Sequence, residues 1–142
     1  MHDADLLAPL LDAAATLTRR LDGALGAIKG ISYGEYHLLA ALADRPAATA
    51  TRVDLASAVG LTPSGVTRAL RPLEKLGVVE ARRDPRDARK SLTLLTDAGR
   101  ALLDDARRVV ADVTDSLEPL RALDADERER TASLLRALAG RG

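Results

Sequence analysis

Polar and basic side chains recur between Thr62 and Arg71 at spacings that place several of them on one side of a helix. Ser64, Arg68 and Arg71 are four and three residues apart, and Thr67 lies beside them. Hydroxyls and amides near a helix start can bind phosphates, and arginine can hold a phosphate or donate two hydrogen bonds to guanine. This pattern favours recognition of a polyanion. The alternative is that Arg68 and Arg71 are solvated surface arginines.

A second charged group consists of Arg86, Asp87 and Arg89. A narrow DNA minor groove has a strongly negative potential that attracts arginine, and a neighbouring carboxylate can fix a flexible arginine side chain. The alternative is a surface ion pair, which contributes at most about 1 kcal/mol.

The residue types argue against catalysis. The chain has no cysteine and only two histidines, His2 and His37, so thiol chemistry and a multi-histidine metal site are not expected. It also has no nucleophile motif and no glycine-rich phosphate loop. We therefore expect a non-enzymatic protein without a metal or cofactor.

The charge is distributed unevenly along the chain. The formal net charge is zero, yet residues 61 to 100 hold nine basic and five acidic side chains, a local charge of +4. DNA binding depends on the basic side chains that face the duplex, so a neutral chain with a basic central third remains compatible with it.

Length and hydropathy predict one domain over residues 1–142. The chain has no run of about 20 apolar residues, the length needed to cross a bilayer. Asp3, Asp5 and Asp12 make the start of the chain too acidic for a signal peptide. We expect a cytoplasmic protein with no membrane partner.

Four helices are predicted before residue 77. The first covers residues 3 to 29, and the second begins at the capping box formed by Ser32 and Glu35. A connector at residues 47 to 50 precedes a short helix that begins at Thr51 and ends at Gly60. Thr62 before a proline starts the fourth helix. Its predicted buried stripe consists of Val66, Leu70, Leu73 and Leu76.

A β-hairpin and two further helices follow. Strand-forming segments at 78–83 and 91–96 flank a polar tip at 84–90. A fifth helix then runs to Pro119, and a sixth begins at Asp124. The predicted fold class is mainly α, an α+β fold with six helices and a β-hairpin, in which Gly60 and Leu61 join the third and fourth helices into a helix-turn-helix.

Residues 60 to 99, GLTPSGVTRALRPLEKLGVVEARRDPRDARKSLTLLTDAG, resemble the signature region of the MarR family of transcription regulators. The segment is similar to that family's recognition helix, wing strand, DxRDxR wing tip and LTxxG helix entry. Residues 31 to 39, ISYGEYHLL, are similar to its second helix. The helix order also fits, so the resemblance covers nearly the whole chain.

The resemblance implies a winged helix-turn-helix, with the β-hairpin as its wing, and a homodimer that binds a palindromic operator. Helices at residues 3–30 and 97–142 would form the dimerisation lobe, and residues 31–96 would form the DNA-binding lobe. It also implies that Arg89 enters the minor groove while Asp87 orients it. The predicted DNA-binding residues are Thr62, Ser64, Thr67, Arg68, Arg71, Arg83, Arg86, Asp87 and Arg89.

The family often forms an effector cleft beside its second helix, where Tyr33, Tyr36 and His37 share one face. These side chains could bind a small anionic or phenolic molecule, but they could equally be core residues, above all Tyr36. The function hypothesis is a sequence-specific repressor of transcription. The alternative is a winged-helix adaptor that binds proteins and has no specific affinity for DNA.

Overall fold

The computed structural model describes residues 1–140, which fold into helices around a small antiparallel sheet. The first half contains α1 (Ala4–Lys29), α2 (Tyr33–Ala43), a 3-10 turn (Pro46–Ala48), β1 (Thr49–Thr51), α3 (Arg52–Val59) and α4 (Pro63–Lys75). The second half contains β2 (Val79–Arg83), β3 (Ser91–Leu95), α5 (Asp97–Asp115), α6 (Glu118–Arg121) and α7 (Ala125–Leu138). The mainly helical class with a hairpin wing is confirmed.

The predicted helix starts are made by side-chain caps. The Ser32 hydroxyl accepts a hydrogen bond from the Glu35 amide at 3.0 Å, and the Glu35 carboxylate accepts one from the Ser32 amide at 2.9 Å. Thr51 and Thr62 cap α3 and α4 in the same manner. Such caps satisfy amides that have no partner within the helix, which explains why short polar residues mark these boundaries.

The segment predicted as a connector at residues 47 to 50 instead contains a 3-10 turn and a strand. β1 pairs with β3 and β3 pairs with β2, all antiparallel, so β3 is the central strand. The turn before β1 places Ala47 and Ala48 at φ values of 54° and 47°, in the left-handed region. This turn directs β1 onto the edge of the wing hairpin.

Seven α-helices are present in residues 1–140, one more than the six predicted. The prediction that Pro119 ends the fifth helix is wrong, because α5 already ends at Asp115 and Pro119 lies in the first turn of α6. A proline fits there since the first amides of a helix have no intrahelical acceptor.

The core lies under α2, α3, α4, the sheet and the middle of α5. Its fully buried side chains include Leu39, Leu55, Leu70 and Leu103. Leu76 was predicted to be buried with the stripe of α4 but is 57% exposed, because α4 ends at Lys75 and the chain turns there. None of the helices described in residues 1–140 is long and apolar enough to cross a membrane.

Candidate nucleic-acid interface

Helix α4 exposes a polar face beside a buried one. Val66, Leu70 and Leu73 are buried, which fixes the rotation of the helix. Three of the predicted site residues are exposed on the other face: Ser64, Arg68 and Arg71. The helix therefore presents the Ser64 hydroxyl in its first turn, where the helix dipole favours an anion, and two guanidinium groups further along the same face.

The two threonines predicted on this helix have structural tasks. The Thr62 hydroxyl oxygen accepts a hydrogen bond from the Gly65 amide at 3.0 Å. The Thr67 hydroxyl donates to the Pro63 carbonyl at 3.1 Å. Thr67 is also half-buried, so its hydroxyl proton must leave Pro63 before it can be donated to a phosphate.

The wing tip is ordered by two aspartates that accept hydrogen bonds from the backbone two residues further on. Asp84 accepts from the Arg86 amide at 2.8 Å, and Asp87 accepts from the Arg89 amide at 3.0 Å. The Asp87 carboxylate also accepts from Arg89 Nε at 3.3 Å. The Arg89 side chain is nevertheless 91% exposed. Its backbone amide and Nε are held by Asp87, while most of the guanidinium group remains accessible.

The strands of the wing carry further basic residues. Arg83, the last residue of β2, is exposed and lies opposite Ser91 of β3. Its neighbour Arg82 lies 3.3 Å from the Glu80 carboxylate. Arg83, Arg86 and Arg89 thus follow one hairpin, while Ser64, Arg68 and Arg71 follow one helix.

The wing is anchored to the rest of the lobe at the start of α5. The Thr96 amide donates to the Val78 carbonyl at 3.1 Å, and the Thr96 hydroxyl donates to the Gly77 carbonyl at 2.7 Å. Gly99 packs so closely that a Cβ there would collide with the Val78 carbonyl oxygen. These contacts fix the hairpin relative to the end of α4, which precedes Gly77 by only two residues.

Sequence reasoning missed two basic residues near the wing. Arg52 and Lys90 line a groove of about 460 Å³ between the start of α3 and the base of the wing. They are 38 positions apart in the sequence and come together through the pairing of β1 with β3. The only available signal was the position of Lys90 next to Arg89.

The predicted aromatic group is assembled on α2. The Tyr33 ring is tilted against that of Tyr36 at a centroid distance of 5.7 Å and stacked on that of His37 at 5.9 Å. All three side chains are half-buried, and both tyrosines pack against the core. A cleft of about 380 Å³ borders His37, but the tyrosines do not line it.

Comparison with known proteins gives relatives for both the sequence and the fold. A sequence profile described as the MarR family matches residues 31–91. YdgJ, an uncharacterized HTH-type transcriptional regulator of Bacillus subtilis strain 168, is 37% identical over 82 residues. That match covers 58% of this chain and about half, 49%, of YdgJ.

Solved structures show the same architecture along the chain. Sco3205, a MarR family transcriptional regulator from Streptomyces coelicolor solved in complex with DNA, superposes with a TM-score of 0.88 at 26% identity, covering 96% of this chain and 85% of that one. The transcriptional regulator BldR from Sulfolobus solfataricus superposes with a TM-score of 0.78 at 26% identity, covering 98% and 99%. The resemblance seen in the recognition helix and wing is confirmed: residues 31–91 match the MarR family profile, and the fold is similar to that of solved MarR family transcription regulators.

Proposed function

We propose that the protein is a homodimeric repressor that binds a palindromic DNA operator. The observation that carries this proposal is the joint exposure of arginines on α4 and on the ordered wing of one lobe. The similarity to Sco3205, whose structure includes DNA, supports the same use of this fold. The similarity to regulators from Streptomyces coelicolor and Sulfolobus solfataricus supports the cytoplasm as the location that we propose.

In this proposal the chain is a single domain with two lobes. Residues 31–96 form the DNA-binding lobe, and residues 3–30 with 97–142 form the dimerisation lobe. Two recognition helices that enter successive major grooves need half-site centres about 10 base pairs apart. A dimer with a two-fold axis provides this spacing.

Each predicted side chain has a proposed task. Ser64, Arg68 and Arg71 meet base edges and phosphates in the major groove, and Thr62 and Thr67 support the start of the helix that carries them. Arg89 enters the minor groove while Asp87 restricts its first torsions. Arg83 and Arg86 contact the flanking backbone.

We further propose that a small anionic or phenolic molecule releases the protein from DNA by binding near Tyr33, Tyr36 and His37. The ring contacts on α2 support this site, because they offer stacking surfaces and polar groups next to the cleft beside His37.

Repression, as opposed to activation, is the simpler effect of a dimer that occupies an operator.

The test is a titration of the purified protein against duplexes selected from a random pool and against the intergenic DNA upstream of its own gene. Salt concentration is varied, and stoichiometry is measured by sedimentation. We expect one dimer per palindromic site and an affinity that falls steeply with salt, because each neutralised phosphate releases counterions. Weak binding without sequence preference would contradict the proposal and favour a protein-binding adaptor.

A further inference from the structure

We propose that the groove between the start of α3 and the base of the wing binds a phosphate group of the DNA backbone, with Arg52 and Lys90 as its ligands. This inference rests on the proposed DNA binding. It extends the interface to two residues that neither the motif nor the exposed face of α4 includes.

The groove exists because β1 pairs with the central strand. Thr51, the last residue of β1, is paired with Leu92 of β3. The antiparallel pairing therefore brings the residue after Thr51 next to the residues before Leu92. Arg52 from the start of α3 and Lys90 from the wing line the same groove of about 460 Å³.

The charges in this groove favour an anion. Arg52 and Lys90 supply two cations, a third, Arg89, is paired with Asp87 outside the lining, and Asp54 is the only acidic residue in the lining. The Asp54 carboxylate is 3.1 Å from a guanidinium nitrogen of Arg45, which lies outside the lining. Asp54 is thus neutralised from elsewhere, and the positive charge of the groove remains.

The Arg52 side chain has an unused hydrogen-bond donor. Within residues 1–140 its Nε atom is buried and has no hydrogen-bond partner, whereas buried polar atoms in proteins are almost always paired. The first turn of α3 also begins at Arg52, and free amides at a helix start attract anions. No carboxylate within residues 1–140 forms an ion pair with Arg52, so its guanidinium charge is available to a phosphate bound in the groove.

The location of the groove selects the DNA backbone over a free phosphate compound. Arg89, the side chain proposed to enter the minor groove, lines the same groove and is 91% exposed. Phosphates flank a minor groove on both sides, so a wing that reaches into it brings a phosphate against its own base. Arg52 and Lys90 lie at that base.

The first test compares the salt dependence of DNA binding for Arg52→Gln, Lys90→Gln and the matched control Arg107→Gln on α5. Each variant loses one cation per subunit. For Arg52→Gln and Lys90→Gln we expect the slope of log affinity against log salt to decrease by about 0.9 per subunit, or about 1.8 per dimer. The loss should be equal on the operator and on unrelated duplexes, because phosphate contacts carry no sequence information.

One further variant, Arg52→Lys, together with the exposed position of Lys90, separates charge from folding. Arg52→Lys keeps the charge and should retain most of the slope, and Lys90 lies on the exposed wing, where glutamine should not disturb the fold. If wild type binds DNA with a steep slope but Arg52→Gln and Lys90→Gln match Arg107→Gln, this inference is wrong while the proposed function stands. Failure of the wild type to bind any duplex would overturn both.

The second test identifies the phosphate and its source. Single phosphates of the operator are replaced by neutral methylphosphonates, and binding of wild type and Arg52→Gln is compared at each position. We expect one position per half-site where the neutral group weakens wild type but has no further effect on Arg52→Gln. If no position shows this coupling and inorganic phosphate alone stabilises wild type, but not Arg52→Gln, against heat, the groove binds a free anion and the inference fails.

Discussion

At the scale of single residues, Arg68 and Arg89 have the same charge but different surroundings. Arg68 lies on the exposed face of α4. The buried side chains of α4 fix the rotation of the helix, so the Cα position of Arg68 is well defined. Arg89 lies on a wing tip, and its side chain is held at Nε by Asp87 at 3.3 Å. The first arrangement suits reading of base edges, and the second suits insertion into a groove of high negative potential.

We predict that Arg68→Ala reduces discrimination at one operator position per half-site by about 1–3 kcal/mol while binding to unrelated DNA is largely retained. Arg89→Ala should instead lower affinity most for operators with A/T-rich flanks, which have narrow minor grooves. The measurement is competition with single-base operator variants, with Arg107→Ala as the control. Unchanged competition profiles in both variants would rule out these assignments.

A different pair of residues joins the first and fifth helices. Lys29 Nζ lies 2.8 Å from an Asp105 carboxylate oxygen, and this hydrogen bond and the charge of Lys29 lower the pKa of Asp105. A carboxylate with a lowered pKa stabilises the fold above its unfolded pKa of about 3.9, and that contribution is lost as pH falls through the folded pKa.

Asp105→Asn should therefore lower the free energy of unfolding by a small amount at pH 7, and wild type and variant should converge as pH falls below about 3.9. Urea denaturation at several pH values measures this. Asp104→Asn is the control, since Asp104 is 67% exposed and 3.7 Å from Arg107. An equal effect of Asp104→Asn would show that the contribution reflects the general charge of α5 and not this ion pair.

Three pairs of residues show which spatial neighbours the sequence could reveal at this scale. Asp87 and Arg89 are two positions apart within a motif, so their contact was predictable. Lys29 and Asp105 are 76 positions apart, and Arg52 and Lys90 are 38 apart. Contacts of that kind depend on how helices and strands pack, which local spacing does not encode.

At the scale of elements, the junction between the wing and α5 leaves no room for a side chain at Gly99. A Cβ at this position would meet the Val78 carbonyl oxygen and would lie 2.6 Å from a Leu95 methyl carbon. The backbone oxygen cannot move without disturbing its hydrogen bond from the Thr96 amide.

We predict that Gly99→Ala destabilises the fold by about 1–3 kcal/mol, as overpacking of a tight contact does. Gly26→Ala in α1 is the matched control, because a Cβ there meets nothing within 4 Å. The control should raise stability by about 0.5–1 kcal/mol, since alanine favours a helix more than glycine does. Both are measured by chemical denaturation, and a destabilisation by Gly26→Ala as large as that by Gly99→Ala would contradict the argument.

The elements were predicted well where local signals are strong. Capping residues identified the starts of α2, α3, α4 and α7, and alternation with a polar tip identified the hairpin. β1 was missed because its three residues, Thr49–Thr51, are too short to show a pattern and pair with residues more than 40 positions away. α6 was missed because a proline that begins a one-turn helix looks the same as one that ends the previous helix.

At the scale of the whole molecule, apolar surface is concentrated where the two ends of the chain meet. The first half of α1 and the second half of α7 together line a groove of about 770 Å³. Five of its six leucines are more than one-third exposed, namely Leu6, Leu7, Leu134, Leu135 and Leu138. Exposed apolar patches on this scale mark interaction surfaces, which supports the proposed dimerisation lobe.

We predict that Leu138→Asp is monomeric at concentrations where the wild type forms the proposed homodimer, because an unpaired carboxylate would be buried at the proposed subunit interface. Leu138 is 60% exposed and is not part of the buried core, so the circular dichroism spectrum should stay helical. Leu76→Asp is the control. Leu76 is 57% exposed, but it follows α4 in the proposed DNA-binding lobe. Sedimentation velocity distinguishes the two.

The same pair of variants connects the oligomeric state to DNA binding. A monomer has one recognition helix and reaches one half-site, so Leu138→Asp should lose the tight binding to a palindrome while it keeps weak, salt-dependent binding. Leu76→Asp should retain the dimer and its affinity. A Leu138→Asp protein that stays dimeric, together with a monomeric Leu76→Asp, would place the subunit interface on the helix-turn-helix lobe and would reverse the assignment of the two lobes.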